Sequence, residues 1–377
     1  MFKFVYLYFI FILLFILVGS YRYVYRKRFK PNLKDQFATI VVPARNEEKD
    51  VADLIECLIA QEYPKDMYEI LIVNDRSTDR TEEIIKGYAE KYPNVNYITI
   101  TETNPNLMGK QNALDFGIRA AKGEIILLTD ADCIIGKHWV KNMVKMFNSP
   151  DVGLVVGKTE IYEPKTFWDR FQVLFHRLNI EIAQVSIMVG KYTSGMGNNL
   201  GVSKSAYISI GGYPKLGKSI LDDEILVRGV AKAGYDLRAA VYKDSIVHTK
   251  PMPDLKSLQK QHIRWIDGGL HYKSPTRIGI ILYYIFNLYM IYLLIVGIVF
   301  LDYYAFACVV VKILSDFLYM FQLDSKHDER HVRLYEDFLF AIIMPYYVFW
   351  LTTKSLFFRQ KIEWKAEVSK RSKRPKR

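Results

Sequence analysis

Between Asp35 and Lys273, short apolar runs alternate with stretches of helical periodicity, a pattern that few folds can accommodate. Phe37 to Val42, Tyr68 to Val73, Val95 to Ile100 and Glu124 to Thr129 read as strands. Val51 to Ala60, Thr78 to Tyr92 and Lys110 to Ala121 read as the helices between them. Alternation at this spacing predicts βαβ units, and so an α/β domain with a Rossmann-like, mostly parallel sheet. Ligands bind such sheets beyond the C-terminal ends of the strands, and there the polar residues of this chain collect. The first strand leads into Pro43-Ala-Arg45-Asn-Glu47-Glu48, the second into Asn74-Asp75-Arg-Ser-Thr-Asp79, the fourth into Asp130-Ala-Asp132.

Two carboxylates one residue apart, just past a strand, suit a hard divalent cation, which takes oxygen ligands and bridges carboxylates to substrate phosphates. Alone, Asp-x-Asp is an ordinary acidic turn. Beside two other acidic loops it points to Mg²⁺ or Mn²⁺ holding a nucleotide diphosphate, with Asp132 and Asp130 as ligands and His248 as a further candidate. Asp75 is placed to accept a nucleobase N–H, while Ser77 or Thr78 caps the following helix.

The net charge is +12, and much of it lies in Arg22 to Lys30 and in Arg359 to Arg377, both flanking apolar segments. Basic groups so placed favour anionic lipid and positive-inside anchoring over nucleic acid. The three cysteines, Cys57, Cys133 and Cys308, have no metal-ligand spacing, in keeping with a reducing compartment. Phe4 to Val18 reads as an uncleaved signal anchor, because its charge follows the apolar run. Ile278 to Leu301 is long enough to cross a bilayer. Tyr303 to Phe321 carries Lys312 and Asp316, and Phe338 to Phe358 is interrupted by Pro345. Three full crossings would place the basic tail outside, so one segment is expected to lie in the interface or to re-enter at Pro345. The expected organisation is an anchor with its basic flank (1–30), a cytosolic catalytic domain (36–275), membrane segments (278–358) and a basic cytosolic tail (359–377).

In this order and spacing the motifs strongly resemble the family 2 glycosyltransferases, whose nucleotide-binding domain is called GT-A. The resemblance covers roughly residues 36 to 275. Pro43-Ala-Arg45-Asn-Glu47 is similar to the family's first-strand motif, and Asp75 to its base-contacting aspartate. Gly109-Lys110 with Ala113-Leu114 resembles the stretch near the diphosphate. Asp130 and Asp132 match the metal motif, and Gly197-Asn-Asn-Leu-Gly201 with Ile210-Gly-Gly-Tyr213 the acceptor-side segment. Gln261-His-Ile-Arg264-Trp265 resembles the Gln-x-x-Arg-Trp element of membrane members such as hyaluronan and cellulose synthases and ceramide glucosyltransferases. Leu221-Asp222-Asp223-Glu224 departs from the usual spacing. Counting back from Gly234-Tyr235 makes Asp223 the catalytic base; counting back from Arg228 makes it Asp222. Asp223 is favoured.

The resemblance implies inverting, metal-dependent transfer from a UDP-sugar to a membrane-associated acceptor. A lipid acceptor is favoured, because three or four membrane segments are few for a polymer channel. A polysaccharide synthase completed by a partner membrane subunit is the alternative. Gln261, Arg264 and Trp265 fall at i, i+3 and i+4 and share a helix face, where an arginine fork suits phosphate and an indole suits a sugar; an interfacial amphipathic helix has the same pattern. Phe167, Phe171, Leu174, Phe175 and Leu178 form one stripe, read equally as core packing or as a bilayer-surface face. A sugar-phosphate nucleotidyltransferase would follow Pro43-Ala-Arg45 with glycine and basic residues rather than Glu47 and Glu48. A non-catalytic membrane binding protein would have lost one of Asp75, Asp130, Asp132 and Asp223, and all four are present.

Overall fold

The structure, a computed structural model, describes residues 35–188, 190, 195–240, 242–271, 275–325, 332–357, 362–364 and 367–369. The signal-anchor segment and most of the basic tail lie outside the described residues. The chain divides into two compact units. One comprises the described residues within 25–162, 182–250 and 361–377, the other those within 163–181 and 251–360.

The first unit is the α/β domain. It begins with β1 (Ala38–Ala44), α1 (Val51–Ile59), β2 (Tyr68–Asp75), α2 (Thr81–Lys91), β3 (Val95–Ile100), α3 (Gly109–Ala120) and β4 (Ile125–Leu128). It continues through β5 (Cys133–Ile135), α4 (Trp139–Val144), β6 (Val152–Val156) and β7 (Lys158–Ile161). Helix α5 (Phe167–Met188) belongs to the other unit as far as residue 181. Then come β8 (Leu200–Ser203), α6 (Lys204–Ser209), α7 (Gly212–Leu216), α8 (Asp222–Lys232), β9 (Asp236–Ala239) and β10 (Ile246–Thr249). Among the described residues, seven strands form one sheet in the order β3-β2-β1-β4-β8-β6-β9, and β5-β10-β7 form a second. Within the large sheet only β8 runs against its neighbours, so the expected, mostly parallel sheet is present.

Burial explains the strands. β2 is buried along its whole length and β1 almost so, as parallel strands covered on both faces must be. β3, at the sheet edge, alternates buried ends with a partly exposed middle. Gly117 lets α3 approach the sheet, since a Cβ there would meet the Val41 and Val73 side chains at 2.4 and 2.9 Å. Helix α2 starts three residues later than the periodicity predicts. Ser77 and Thr78 do not cap it, because both are engaged elsewhere: Ser77 Oγ accepts the Asn46 amide and the Thr78 amide donates to Asn46 Oδ1. Asp79 instead accepts the Thr81 amide at 3.0 Å.

Gly157 joins β6 to β7 where buried Asn199 passes. Asn199 Oδ1 accepts from Trp139 Nε1, and its Nδ2 donates to the carbonyls of Lys158 and Ser245. A Cβ at Gly157 would lie 2.2 Å from the Asn199 side chain. Gly157→Ala is therefore expected to cost about 1–3 kcal/mol through overpacking, read as a lower thermal midpoint.

The second unit is helical. After the first part of α5 it contains α9 (Leu255–His271), α10 (Pro275–Val299), α11 (Tyr303–Ser325) and α12 (Leu334–Phe357). Arg277–Val299, Tyr303–Asp324 and Leu334–Phe357 are long and apolar enough to cross a membrane. The break expected at Pro345 is absent: α12 runs through it, as apolar helices packed on neighbours tolerate. Lys312 and Asp316 pair with each other inside α11 and are both buried in the unit, which meets the cost of charge in an apolar helix.

The stripe on α5 packs as core. Phe171 and Leu174 are fully buried, Phe171 meets Phe340 and Tyr347 edge-on, and Phe175 stacks on His262 at 3.9 Å. Two arginines on the same helix reach the C-terminal helices: Arg170 forks onto Glu336 with bonds of 2.8–2.9 Å, and Arg177 pairs with Asp324. A final antiparallel pair, β11 (Ile362–Trp364) and β12 (Glu367–Ser369), belongs to the α/β unit.

Candidate active site

Parallel strands end on one edge, so the loops after β1, β2 and β4 gather there. Pro43 closes β1 opposite Val73 of β2. The two loops that follow are tied by reciprocal bonds. The Glu47 amide donates to Thr81 Oγ1, the Glu48 amide to Asp79 Oδ2, and the Arg80 amide to Glu48 Oε2. Glu47 thus meets this edge through its backbone. Asn46 and Arg76 both take positive φ, 54° and 55°, and the ties just described hold the turns in that conformation. The result is a buried Asp75 carboxylate set between two guanidiniums, with Arg76 Nε at 2.8 Å and Arg45 at 3.7 Å. A carboxylate so placed can accept a further N–H, and the arginines supply positive charge at the same edge.

After β4, buried Ala131 separates Asp130 and Asp132, which are partly exposed. Lys110, in the first turn of α3, lies 2.8 Å from Asp130 and 3.6 Å from Asp222 at the start of α8. Burial pulls its ammonium down, but Asp130 and Asp222 outweigh that, and its pKa ends raised. One lysine therefore joins the carboxylates past β4 to those opening α8. Burial, then the neighbouring charge of Asp222, push Asp223 up to about 7, against the Glu224 amide, which donates to it at 2.8 Å, and against Lys110. Asp222 has the lysine; Asp223 has the raised proton affinity. Gly197 sits among these groups, its Cβ direction 3.4 Å from Lys110 Nζ and 3.5 Å from Asp222. The start of the Gly197–Gly201 segment is thereby at the site, while Asn199 is a structural tie.

The donor set suits a divalent cation only in part, in the way expected when a diphosphate supplies the rest: two accessible carboxylates, with no third carboxylate, histidine or cysteine gathered at metal distance among the described residues. His248 lies on β10 opposite Ile134 and Glu160, with its ring 6.2 Å from that of Tyr162.

Two residues here, Lys250 and Gln111, were not singled out from sequence, whereas Tyr213 closes the Ile210–Tyr213 segment that was. Lys250 follows β10 and pairs with Asp50; that bond, with the charges of Asp50, Asp53 and Asp132, raises its pKa. Tyr213 is fully buried, and burial together with Asp222, Tyr207 and Asp223 drives its phenol pKa up. Gln111 follows Lys110 directly. No periodicity marks Lys250 or Gln111; adjacency to Lys110 could have drawn attention to Gln111.

Gln261, Arg264 and Trp265 belong to the helical unit. All three are partly exposed on α9, and Trp265 lies 5.4 Å from the His176 ring and 5.2 Å from His262. Buried His262 is held neutral, its pKa lowered to about 3 by burial and by His176, and it shares a 3.0 Å hydrogen bond with the Tyr347 hydroxyl.

Residues 39–206 match glycosyl transferase family 2, and residues 125–353 match glycosyl transferase family group 2. The chain belongs to glycosyl transferase family group 2, and its α/β unit is a glycosyltransferase domain of the GT-A fold. It is 29% identical over 246 residues to a beta-monoglucosyldiacylglycerol synthase of Nostoc sp., covering 65% of this chain and 51% of that one. It is 28% identical over 252 residues to the probable glycosyltransferase YdaM of Bacillus subtilis, covering 64% and 57%. It is 26% identical over 280 residues to the poly-beta-1,6-N-acetyl-D-glucosamine synthase of Staphylococcus aureus, covering 71% and 65%. The chain spans about half the length of the first of these relatives. Among solved structures, a mannosyltransferase from Pyrobaculum calidifontis in complex with GDP-Man and Mn²⁺ superposes with a TM-score of 0.57 at 20% identity, over 92% of this chain and 96% of that one.

Proposed function

We propose that the protein is a membrane-anchored, inverting hexosyltransferase that moves a sugar from a UDP-sugar to a lipid acceptor on the cytosolic face of a multi-pass membrane domain. The observation that carries this is Lys110, which links the Asp-x-Asp carboxylates to the Asp222–Asp223 pair. Similarity to glucosyldiacylglycerol synthases supports a lipid acceptor, and the three apolar helices support a membrane setting.

In this reading Asp75 accepts the uracil N–H, and Arg45 lies beside it. Asp130 and Asp132 hold a Mg²⁺ or Mn²⁺ ion, which when bound neutralises charge developing on the leaving diphosphate. Lys110 adds a positive charge on the same side. Asp223 takes the proton of the acceptor hydroxyl as general base, worth roughly 10²–10⁴-fold in rate. One base acting on the face opposite the leaving group gives inversion at the anomeric carbon. Gln261, Arg264 and Trp265 keep the phosphate- and sugar-binding role that the family resemblance implies.

Asp132→Ala is expected to weaken metal-dependent UDP binding at least tenfold, measured by calorimetric titration with Mn²⁺ and with EDTA. Unchanged affinity would remove Asp132 from the metal site. The function itself is tested by UDP release from a panel of UDP-sugars with Mn²⁺, Mg²⁺ or EDTA in lipid extract, followed by mass spectrometry. One discrete glycolipid with metal-dependent release is the expected result. A ladder of sugar masses would select polymer synthesis, the second reading favoured by similarity to the poly-N-acetylglucosamine synthase. No release with any donor would refute both.

A further inference from the structure

Gln111 is fully buried, and its side chain is spent on backbone groups of two separate segments. Its Oε1 accepts the amides of Met108 at 3.1 Å and Ser219 at 3.0 Å, and its Nε2 donates to the Gly217 carbonyl at 3.1 Å. Met108 and Gln111 form the first turn of α3, which carries Lys110. Gly217 and Ser219 lie in the loop that delivers Asp222 and Asp223 to the start of α8.

That loop has no strand ladder to hold it, and it begins at Gly217 with φ +90°. Ser219 shapes its end: Oγ accepts the Leu221 amide at 3.1 Å and donates to the Leu221 carbonyl at 3.0 Å. The Gln111 amide ties the loop to α3 through Gly217 and Ser219. Lys110, one residue before it, then meets Asp222 at 3.6 Å.

We infer that Gln111 is a positioning residue: it sets the separation between the cation on the diphosphate side and the carboxylate that receives the acceptor proton. A primary amide suits this task, because it both accepts and donates without charge. Glutamate would keep the two accepted bonds but turn an oxygen against the Gly217 carbonyl. Methionine would keep the volume but take the partner from one buried backbone group, the Ser219 amide, and from two half-buried ones, the Met108 amide and the Gly217 carbonyl. The catalytic half of the inference rests on the function proposed above.

The test compares Gln111→Met and Gln111→Glu with the wild type, as full chains in lipid. Gln111→Met is expected to lower kcat by about 10–100-fold, while donor KM and UDP affinity stay within about threefold, because misplacement of catalytic groups affects the chemical step more than ground-state binding. Gln111→Glu should retain more activity than Gln111→Met. In hydrogen exchange, the amides of Ser219 and Leu221 should open faster in Gln111→Met. Wild-type kcat in Gln111→Met, a parallel loss of kcat and UDP affinity, or unaltered exchange in the loop would each overturn the inference. If Gln111→Met does not fold, Gln111→Glu is judged by the same kcat, affinity and exchange criteria. If the wild type transfers no sugar, the proposed function fails, and the exchange comparison still decides whether Gln111 holds the loop.

Discussion

Asp223→Asn is expected to abolish sugar transfer, by roughly 10²–10⁴-fold, while UDP still binds. The asparagine has the shape of the aspartate but cannot take a proton. The same substitution should make the donor-free protein more stable at pH 8. An ordinary unfolded aspartate titrates near 4, whereas Asp223 in the folded protein stands at about 7. A carboxyl raised on folding contributes stability that is fully present below about pH 4 and is lost as pH rises through about 7. Above pH 7 the folded state holds an ionised carboxylate beside Asp222, in surroundings that oppose it. Asparagine removes that cost, about 2–4 kcal/mol by linkage, and the thermal midpoint at pH 8 should rise accordingly. In the wild type, kcat/KM should climb about tenfold per pH unit below 7 and level off above it. Should Asp223→Asn keep full activity while Asp222→Asn loses it, the base is one residue earlier.

The second large effect is expected in the helical unit. Arg177 and Asp324 are both essentially excluded from water and paired with each other, 147 residues apart in sequence. Arg177→Met alone, or Asp324→Leu alone, leaves a buried charge without its counter-charge and should cost about 3–5 kcal/mol. Both substitutions together should cost much less, because an apolar pair can fill the same space. The measurement is the fraction of chain surviving a heat step in detergent, for the two single variants and the double. A double variant as unstable as the singles would mean that shape at this point, and not charge, holds α5.

The parallel part of the sheet was legible because β1, β2 and β4 are buried runs, and their polar ends marked the edge where a ligand can bind. The onset of α2 was misread because Ser77 and Thr78, good capping residues by type, are bonded to a loop 31 and 32 residues away. The stripe on α5 was ambiguous for the same reason on a larger scale. Its partners Phe340 and Tyr347 lie far along the chain, and Arg170 and Arg177 look like an ordinary solvated face until Glu336 and Asp324 are placed against them. Periodicity likewise could not tell Asp222 from Asp223. Lys110, more than a hundred residues upstream, meets Asp222, while burial and the charge of Asp222 raise Asp223. Pro345 looked like a break because a proline removes a backbone donor, but neighbouring helices support α12 through it.

The pairing of Arg177 with Asp324 also sets an order of events during synthesis. At about 5–20 residues per second, a ribosome that has made Arg177 needs roughly 7–30 s more to make its partner. Through that interval the apolar stripe of α5, Arg170 and Arg177 lack the C-terminal side chains that they meet in the folded unit. A message cut short after residue 250 would leave them so indefinitely. The C-terminal helices thus complete a unit whose first part, residues 163–181, is made early.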